Sequence, residues 1–187
     1  RVLPNMKVIC PVDVIEARKA TRAITAEFGP MYMRTSRAPF PVITQERDPF
    51  VIGKANILRE GKDVTLIGCG IQVSECLSAA EILKKEGIEA RVINMHTIKP
   101  IDVDTIEKCA KETGALVTAE EHQIYGGLGS AVAEVLAKTT PAPLEMVAVA
   151  DTFGETGTPA QLLAKYHLKD VDIVEAAKKA IKRKGKS

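Results

Sequence analysis

What this chain lacks narrows its class before any motif is read. No apolar run reaches the roughly 18 residues that a membrane-crossing helix needs, and no segment has the plan of a signal peptide. Membrane insertion and secretion are therefore not expected. The four cysteines, Cys10, Cys69, Cys76 and Cys109, include no C-x-x-C pair, and none stands near a histidine at zinc-ligand spacing. Each lies among apolar neighbours, as a buried reduced thiol does, which points to a reducing compartment, the cytoplasm. A charge excess of one sign is also missing: 26 Lys and Arg against 24 Asp and Glu leave a net +2. That balance argues against a nucleic-acid partner. The one dense basic run, from Lys178 to Lys186, fits cations at a helix C-terminus, where they favour the helix dipole.

What is present fits an ordinary globular protein: 187 residues, 45% hydrophobic and 27% charged. This suggests one domain, or one domain and part of another. The first residue is Arg1 and the first methionine is Met6, so a fragment or processed product is expected. The pattern alternates strand and helix. Met6 to Cys10 reads as a strand, Val12 to Phe28 as a helix closed by Gly29-Pro30, and Met31 to Thr35 as a second strand. From Arg37 to Pro49 the texture changes to prolines and charges, as in a linker. After it the alternation becomes regular. Strands are expected at 64–67, 90–95, 115–118 and 144–149. Between them fall helices, one carrying Val73 to Leu83 and closed by Gly87, one marked by an N-cap at Asp102 and one opened by the glycine-rich Gly126–Gly129; after them comes a capping box at Thr158–Gln161. A final helix is expected over 171–184.

Such alternation implies right-handed parallel β-α-β units. The fold class expected is α/β, a three-layer α/β/α arrangement around a mostly parallel sheet. The division expected is a partial unit at 1–36, a linker at 37–49 and one complete domain at 50–187. The first unit is too small to cover both faces of a sheet. Its exposed strand edges suggest disorder or altered pairing.

Several motifs invite functional readings. Gly68-Cys69-Gly70 follows a strand and opens a helix, but Val73 and Asn94 stand where a dinucleotide fingerprint needs a glycine and an acid. Gly126-Gly127-Leu128-Gly129 offers free backbone N–H groups for an anion, or room for close packing. Glu120-Glu121-His122 falls at a strand end, where ligands bind in open sheets, so acid–base work or a structural network are both readings of it. His96 resembles it more weakly, and His167 reads as a surface residue. Asp13 opens a helix just after a strand, and Arg34 and Arg37 flank the end of the next parallel strand. One aspartate and two arginines on one edge could recognise a polyol phosphate, the aspartate accepting from a hydroxyl and the arginine fork holding the phosphate.

The order and spacing of longer stretches carry a resemblance. Leu3-Pro4-Asn5-Met6 followed by Pro11-Val12-Asp13 resembles the L-P-N … P-A-D segment of transketolases. Ser36-Arg37 is similar to the end of that family's pyrimidine-binding domain. Gly53-Lys54-Ala55, Leu58 to Thr65, Ala90 to Asp102, Val117 to His122, Gly126 to Glu134 and Asp151 to Gly157 are similar to successive parts of its C-terminal domain. The match is closest to transketolases encoded as two chains.

The resemblance implies a thiamine-diphosphate enzyme of the pentose phosphate pathway, moving a two-carbon ketol unit from a ketose phosphate to an aldose phosphate. It implies a preceding domain or N-terminal subunit that holds the diphosphate through Mg2+, a pyrimidine-binding domain of which residues 1–36 are the end, and a homodimer contact through the C-terminal domain. It places the glutamate that meets the pyrimidine, and a phosphate-contacting histidine, ahead of Arg1. The chain alone is thus expected to bind no cofactor, to carry no catalytic residue and to be inactive. Asp13 is carried over as the contact to a substrate hydroxyl and Arg37 as the phosphate ligand, with Arg34, Glu121 and His122 as further candidates. The rivals are deoxyxylulose-phosphate synthase, the β subunit of a 2-oxo acid dehydrogenase and a non-catalytic assembly module. Arg34-Thr35-Ser36-Arg37-Ala38 departs from the R-Y-P-R-G usual in the synthase.

Overall fold

The computed structural model of the chain describes residues 1–37 and 39–184; Ala38, inside the expected linker, and residues 185–187, the end of the basic run, lie outside them. The first unit holds β1 (Lys7–Ile9), α1 (Val14–Ala26) and β2 (Met31–Met33). Asp13 caps α1, its side chain accepting from the Glu16 N–H, and so satisfies one of the amides that a helix start leaves unpaired.

The second unit runs β3 (Asn56–Arg59), β4 (Val64–Gly68), α2 (Gln72–Lys85), β5 (Ala90–Asn94), β6 (Thr97–Lys99), α3 (Val103–Thr113), β7 (Leu116–Gln123), α4 (Leu128–Lys138), β8 (Leu144–Val149), α5 (Pro159–Lys165) and α6 (Asp170–Lys184). Five of its strands form a sheet in the order β3-β5-β4-β7-β8, with only β3 antiparallel to its neighbour. Successive strand residues face opposite sides. Leu66, Val92 and Val117 join Leu83 of α2 and Ile173 and Ala177 of α6 in one core. Ile67, Ile93 and Leu116 join Ile106 of α3 and Val132 of α4 in the other. This is the three-layer, mostly parallel α/β arrangement expected. The Asp102 cap and the capping box of Thr158 and Gln161 are both in place. Among the described residues no helix is long and apolar enough to cross a membrane.

Two short strands were not anticipated, and one changes the picture of the first unit. β6, three residues beyond β5, pairs antiparallel with β1 to complete a three-stranded sheet β2-β1-β6. The Cys10 N–H also donates to the His96 carbonyl at 2.8 Å. The expectation of disorder or altered pairing at the edges of the first unit is therefore corrected for β1, whose second edge is covered by a strand of the second unit. The segment between the units is likewise tied down. Ile43 and Thr44 donate backbone N–H groups to Asp13 at 2.9 and 2.7 Å. Lys19 donates to the Asp48 carbonyl at 2.7 Å, and Phe40 packs against the α2/α6 core.

Candidate functional site

Strands that run parallel end on the same edge, and here four of them deliver side chains to one place. Beyond β1 come Cys10 and Asp13, beyond β2 Arg34 and Arg37, beyond β4 Cys69, and from the late part of β7 Glu121. These residues line one cleft of about 690 Å3. Asp13, Arg34, Arg37 and Glu121, named from the sequence, are thus brought together. His122 is not among them: it lines a smaller cavity of about 110 Å3 with Arg1, Arg34 and Glu120.

The four differ in how much of their hydrogen-bonding capacity remains free. Asp13 has little. Besides the Glu16 amide it accepts both amides of the Ile43–Thr44 turn, and the Thr44 hydroxyl at 2.7 Å from Oδ1. Burial pulls its carboxyl upward, but these donors outweigh it and hold the group below the usual carboxylate range. Arg34 is partly buried and donates to the Glu121 carbonyl at 3.1 Å and to the Cys10 sulfur at 3.3 Å, with the Cys69 sulfur at 3.8 Å. Burial works against its charge, yet the two thiols and Glu120 more than offset it. A hydrogen bond from Cys69 and the nearby Arg34 charge, working against burial, bring the Cys10 thiol down to about 7, while Cys69 is driven well above the ordinary thiol range. Partial burial raises the Glu121 carboxyl, with Arg34 opposing it. Arg37 is exposed and, among the described residues, makes no ion pair.

The other strand-end motifs are closed from within. Both Glu120 oxygens are taken by helix α4, accepting the Leu128 and Gly129 amides at 2.8 and 2.9 Å. The anion held by this glycine-rich turn is the protein's own carboxylate. A Cβ on Gly127 would lie 2.1 Å from Glu120 Oε2, which explains the glycine. His122 Nδ1 lies 2.7 Å from the Gln123 carbonyl and 3.8 Å from Glu120. At Gly70, φ is +55°, and a Cβ would meet the Cys10 sulfur at 2.9 Å. The Gly68-Cys69-Gly70 turn packs against a thiol, which explains the glycine at position 70, and its Cys69 and Gly70 line the cleft. His96 is fully buried and stacked on Phe50 with ring centroids 4.2 Å apart. Burial pushes its imidazole down to about 4, so it is neutral at pH 7.

Residues 53–173 match the family model described as transketolase, C-terminal domain. The chain belongs to the transketolase C-terminal domain family. It is 47% identical to a 6-deoxy-6-sulfo-D-fructose transketolase subunit of Clostridium sp. (strain MSTE9), over 98% of this chain and 57% of that protein. It is 36% identical to an apulose-4-phosphate transketolase subunit of Phocaeicola vulgatus, over 98% of this chain and 59% of that protein. A solved structure described as a split-gene transketolase, inactive β4 tetramer, superposes with a TM-score of 0.95 at 46% identity, covering 97% of this chain and 60% of that one. The chain thus spans less than two thirds of each of these relatives.

Among the described residues no three imidazole, thiol or carboxylate groups converge as metal ligands would. Sequence reasoning missed Thr44, whose amide and hydroxyl both bind Asp13, because 31 residues separate the pair. It read Cys10 and Cys69 as buried reduced thiols, which they are, but did not show that they line the cleft. Their positions immediately after β1 and β4 were the available signal.

Proposed function

We propose that this chain is the C-terminal part of a thiamine-diphosphate-dependent transketolase, which transfers a two-carbon ketol unit between sugar phosphates. On this reading residues 1–36 close the pyrimidine-binding domain, 37–49 connect, and 50–187 form the C-terminal domain. A separate N-terminal subunit or domain brings the diphosphate and Mg2+. The chain works in the cytoplasm, a location supported by its four unpaired buried cysteines, and self-associates through its C-terminal domain. Thiamine diphosphate, when bound by the assembly, supplies the chemistry that makes and breaks the carbon–carbon bond. The chain is inactive alone.

The observation that carries the reading is the convergence of Asp13, Arg34 and Arg37 on one open cleft in a member of this family. Arg37, exposed at its mouth, presents a planar fork that suits a phosphate dianion. Arg34 adds positive charge deeper in the wall. Asp13 orders the Ile43–Thr44 side of the cleft, and a substrate hydroxyl reaches its carboxylate by taking the place of the Thr44 hydroxyl.

The test is a ketol-transfer assay of the assembled enzyme with xylulose 5-phosphate as donor and ribose 5-phosphate as acceptor. Arg37→Ala is expected to raise KM by about 10- to 100-fold, the worth of a charged hydrogen bond, with kcat little changed. An unchanged KM would remove Arg37 from the phosphate site. Consumption of pyruvate in place of sugar transfer would move the assignment to the synthase or dehydrogenase branch.

A further inference from the structure

The floor of the cleft holds two thiols that the proposed sugar-phosphate contacts leave unused. Cys10 leaves β1 and Cys69 leaves β4, and the Gly70 N–H, next to Cys69, donates to the Cys10 carbonyl at 3.3 Å. One nitrogen, Arg34 Nη2, lies 3.3 Å from one sulfur and 3.8 Å from the other. Gly70 leaves the space that the Cys10 sulfur fills. Both thiols line the cleft. The remaining two cysteines serve as internal comparisons. Cys76 is fully buried in the α2 core, with Glu75 as its charged neighbour. Cys109 has Arg91 Nη1 at 3.5 Å and shares a core with Cys10 and Cys69, but does not line the cleft.

Cys10 and Cys69 are 3% and 1% exposed, so a peroxide reaches them through the cleft they line; a thiol beside a cation and next to a second thiol is the arrangement of an oxidisable cysteine with its resolving partner. We propose that Cys10 is the residue at which hydrogen peroxide oxidises this protein, and that Cys69 resolves the product as an intramolecular disulfide. In the first step the Cys10 thiolate attacks one peroxide oxygen. The S–O bond forms, the O–O bond breaks, and the other oxygen leaves as water after taking a proton. In the second the Cys69 sulfur attacks Cys10, the S–S bond forms, the S–O bond breaks, and a second water leaves. Two thiols lose two electrons and two protons, and the peroxide is reduced to two waters.

The experiment uses the reduced full chain, hydrogen peroxide at pH 7, alkylation of the remaining thiols and mass spectrometry of a non-reducing digest. The wild type is expected to lose about 2 Da and to yield a Cys10–Cys69 cross-linked peptide pair, with Cys76 and Cys109 alkylated (two hydrogens lost per disulfide). Cys69→Ser is expected to leave a Cys10 sulfenic acid that dimedone captures. Arg34→Met is expected to slow Cys10 oxidation at pH 7 by about tenfold, with the difference vanishing at a pH where thiols ionise unaided. Oxidation of Cys109 or Cys76 as fast as Cys10, or a cross-link joining any other pair, would overturn the assignment. The wild-type digest decides this even if a variant fails to fold.

Discussion

The two α/β units treat the ends of their strands differently. In the larger unit the glycine turns at these ends are packed by the chain itself, Glu120 occupying the start of α4 and Gly70 after β4 lying on the Cys10 sulfur, while Cys69 and Glu121 reach the cleft. In the smaller unit they open into a cleft, and Arg37 stands there without a described partner. The larger sheet is covered on both faces by two cores, whereas the smaller has one helix and borrows β6 to cover β1. The glycine motifs that look most like ligand sites are therefore structural. The open cleft lies where strand ends of the two units meet, and its exposed cation, Arg37, comes from the segment just after the smaller unit's β2.

This contrast predicts a graded series. The largest effect belongs to Glu120→Ala, which strands two buried amides, at about 2 kcal/mol each. A denaturant titration should show a loss near about 4 kcal/mol, and a loss below about 1 kcal/mol would mean the turn is not closed as described. Gly127→Ala should act in the same direction, since the new methyl overlaps the carboxylate.

Next comes a pH effect in the smaller unit. Burial pushes the Glu16 carboxyl up to about 7 against its hydrogen bonds from Val12 and Asn94, with Asp13 and Cys10 adding negative charge nearby. Between about pH 4.5 and 7 the folded chain then binds more protons than the unfolded one, so stability falls as pH rises, by roughly 3 kcal/mol in total. Glu16→Gln should flatten that fall, its new N–H reaching the unpartnered Asn94 Oδ1 once the amide turns. Asp13 acts with the opposite sign at lower pH. Its carboxyl is depressed, so its contribution is present above the ordinary aspartate range and is lost as pH drops below it.

Asp13→Ala should cost about 1–2 kcal/mol, as the loss of a helix cap does. It should also free the 43–44 turn, seen as faster amide exchange there than in β4. Unchanged exchange would show that the turn is held by something other than Asp13. The smallest stability effect is expected at Arg37→Ala, within about 0.5 kcal/mol, although its effect on KM is large. A stability loss like that of Glu120→Ala would erase the contrast between the units.

Much of this was readable from residue order. The two periodicities marked the main elements, and the strand-end positions of Asp13, Arg34 and Arg37 put them on one edge. β1 and β2 are as short but stand out as apolar runs, whereas β3 and β6 escaped because Asn56–Arg59 and Thr97–Lys99 mix polar and apolar residues with no clear pattern. The saturation of Asp13 by Thr44 and the inward turn of Glu120 escaped because both depend on contacts across the fold. A carboxylate after a strand reads the same whether it waits for a ligand or holds a loop.

The most direct test of the central claim is a titration of the gene product that carries this chain into a fixed amount of a diphosphate-domain partner. Thiamine diphosphate, Mg2+, xylulose 5-phosphate and ribose 5-phosphate are supplied. The account predicts no turnover from either component alone and sugar transfer that saturates at one chain per partner chain. Turnover by this chain alone, or a mixture that stays silent with sugar phosphates while consuming pyruvate, would contradict it.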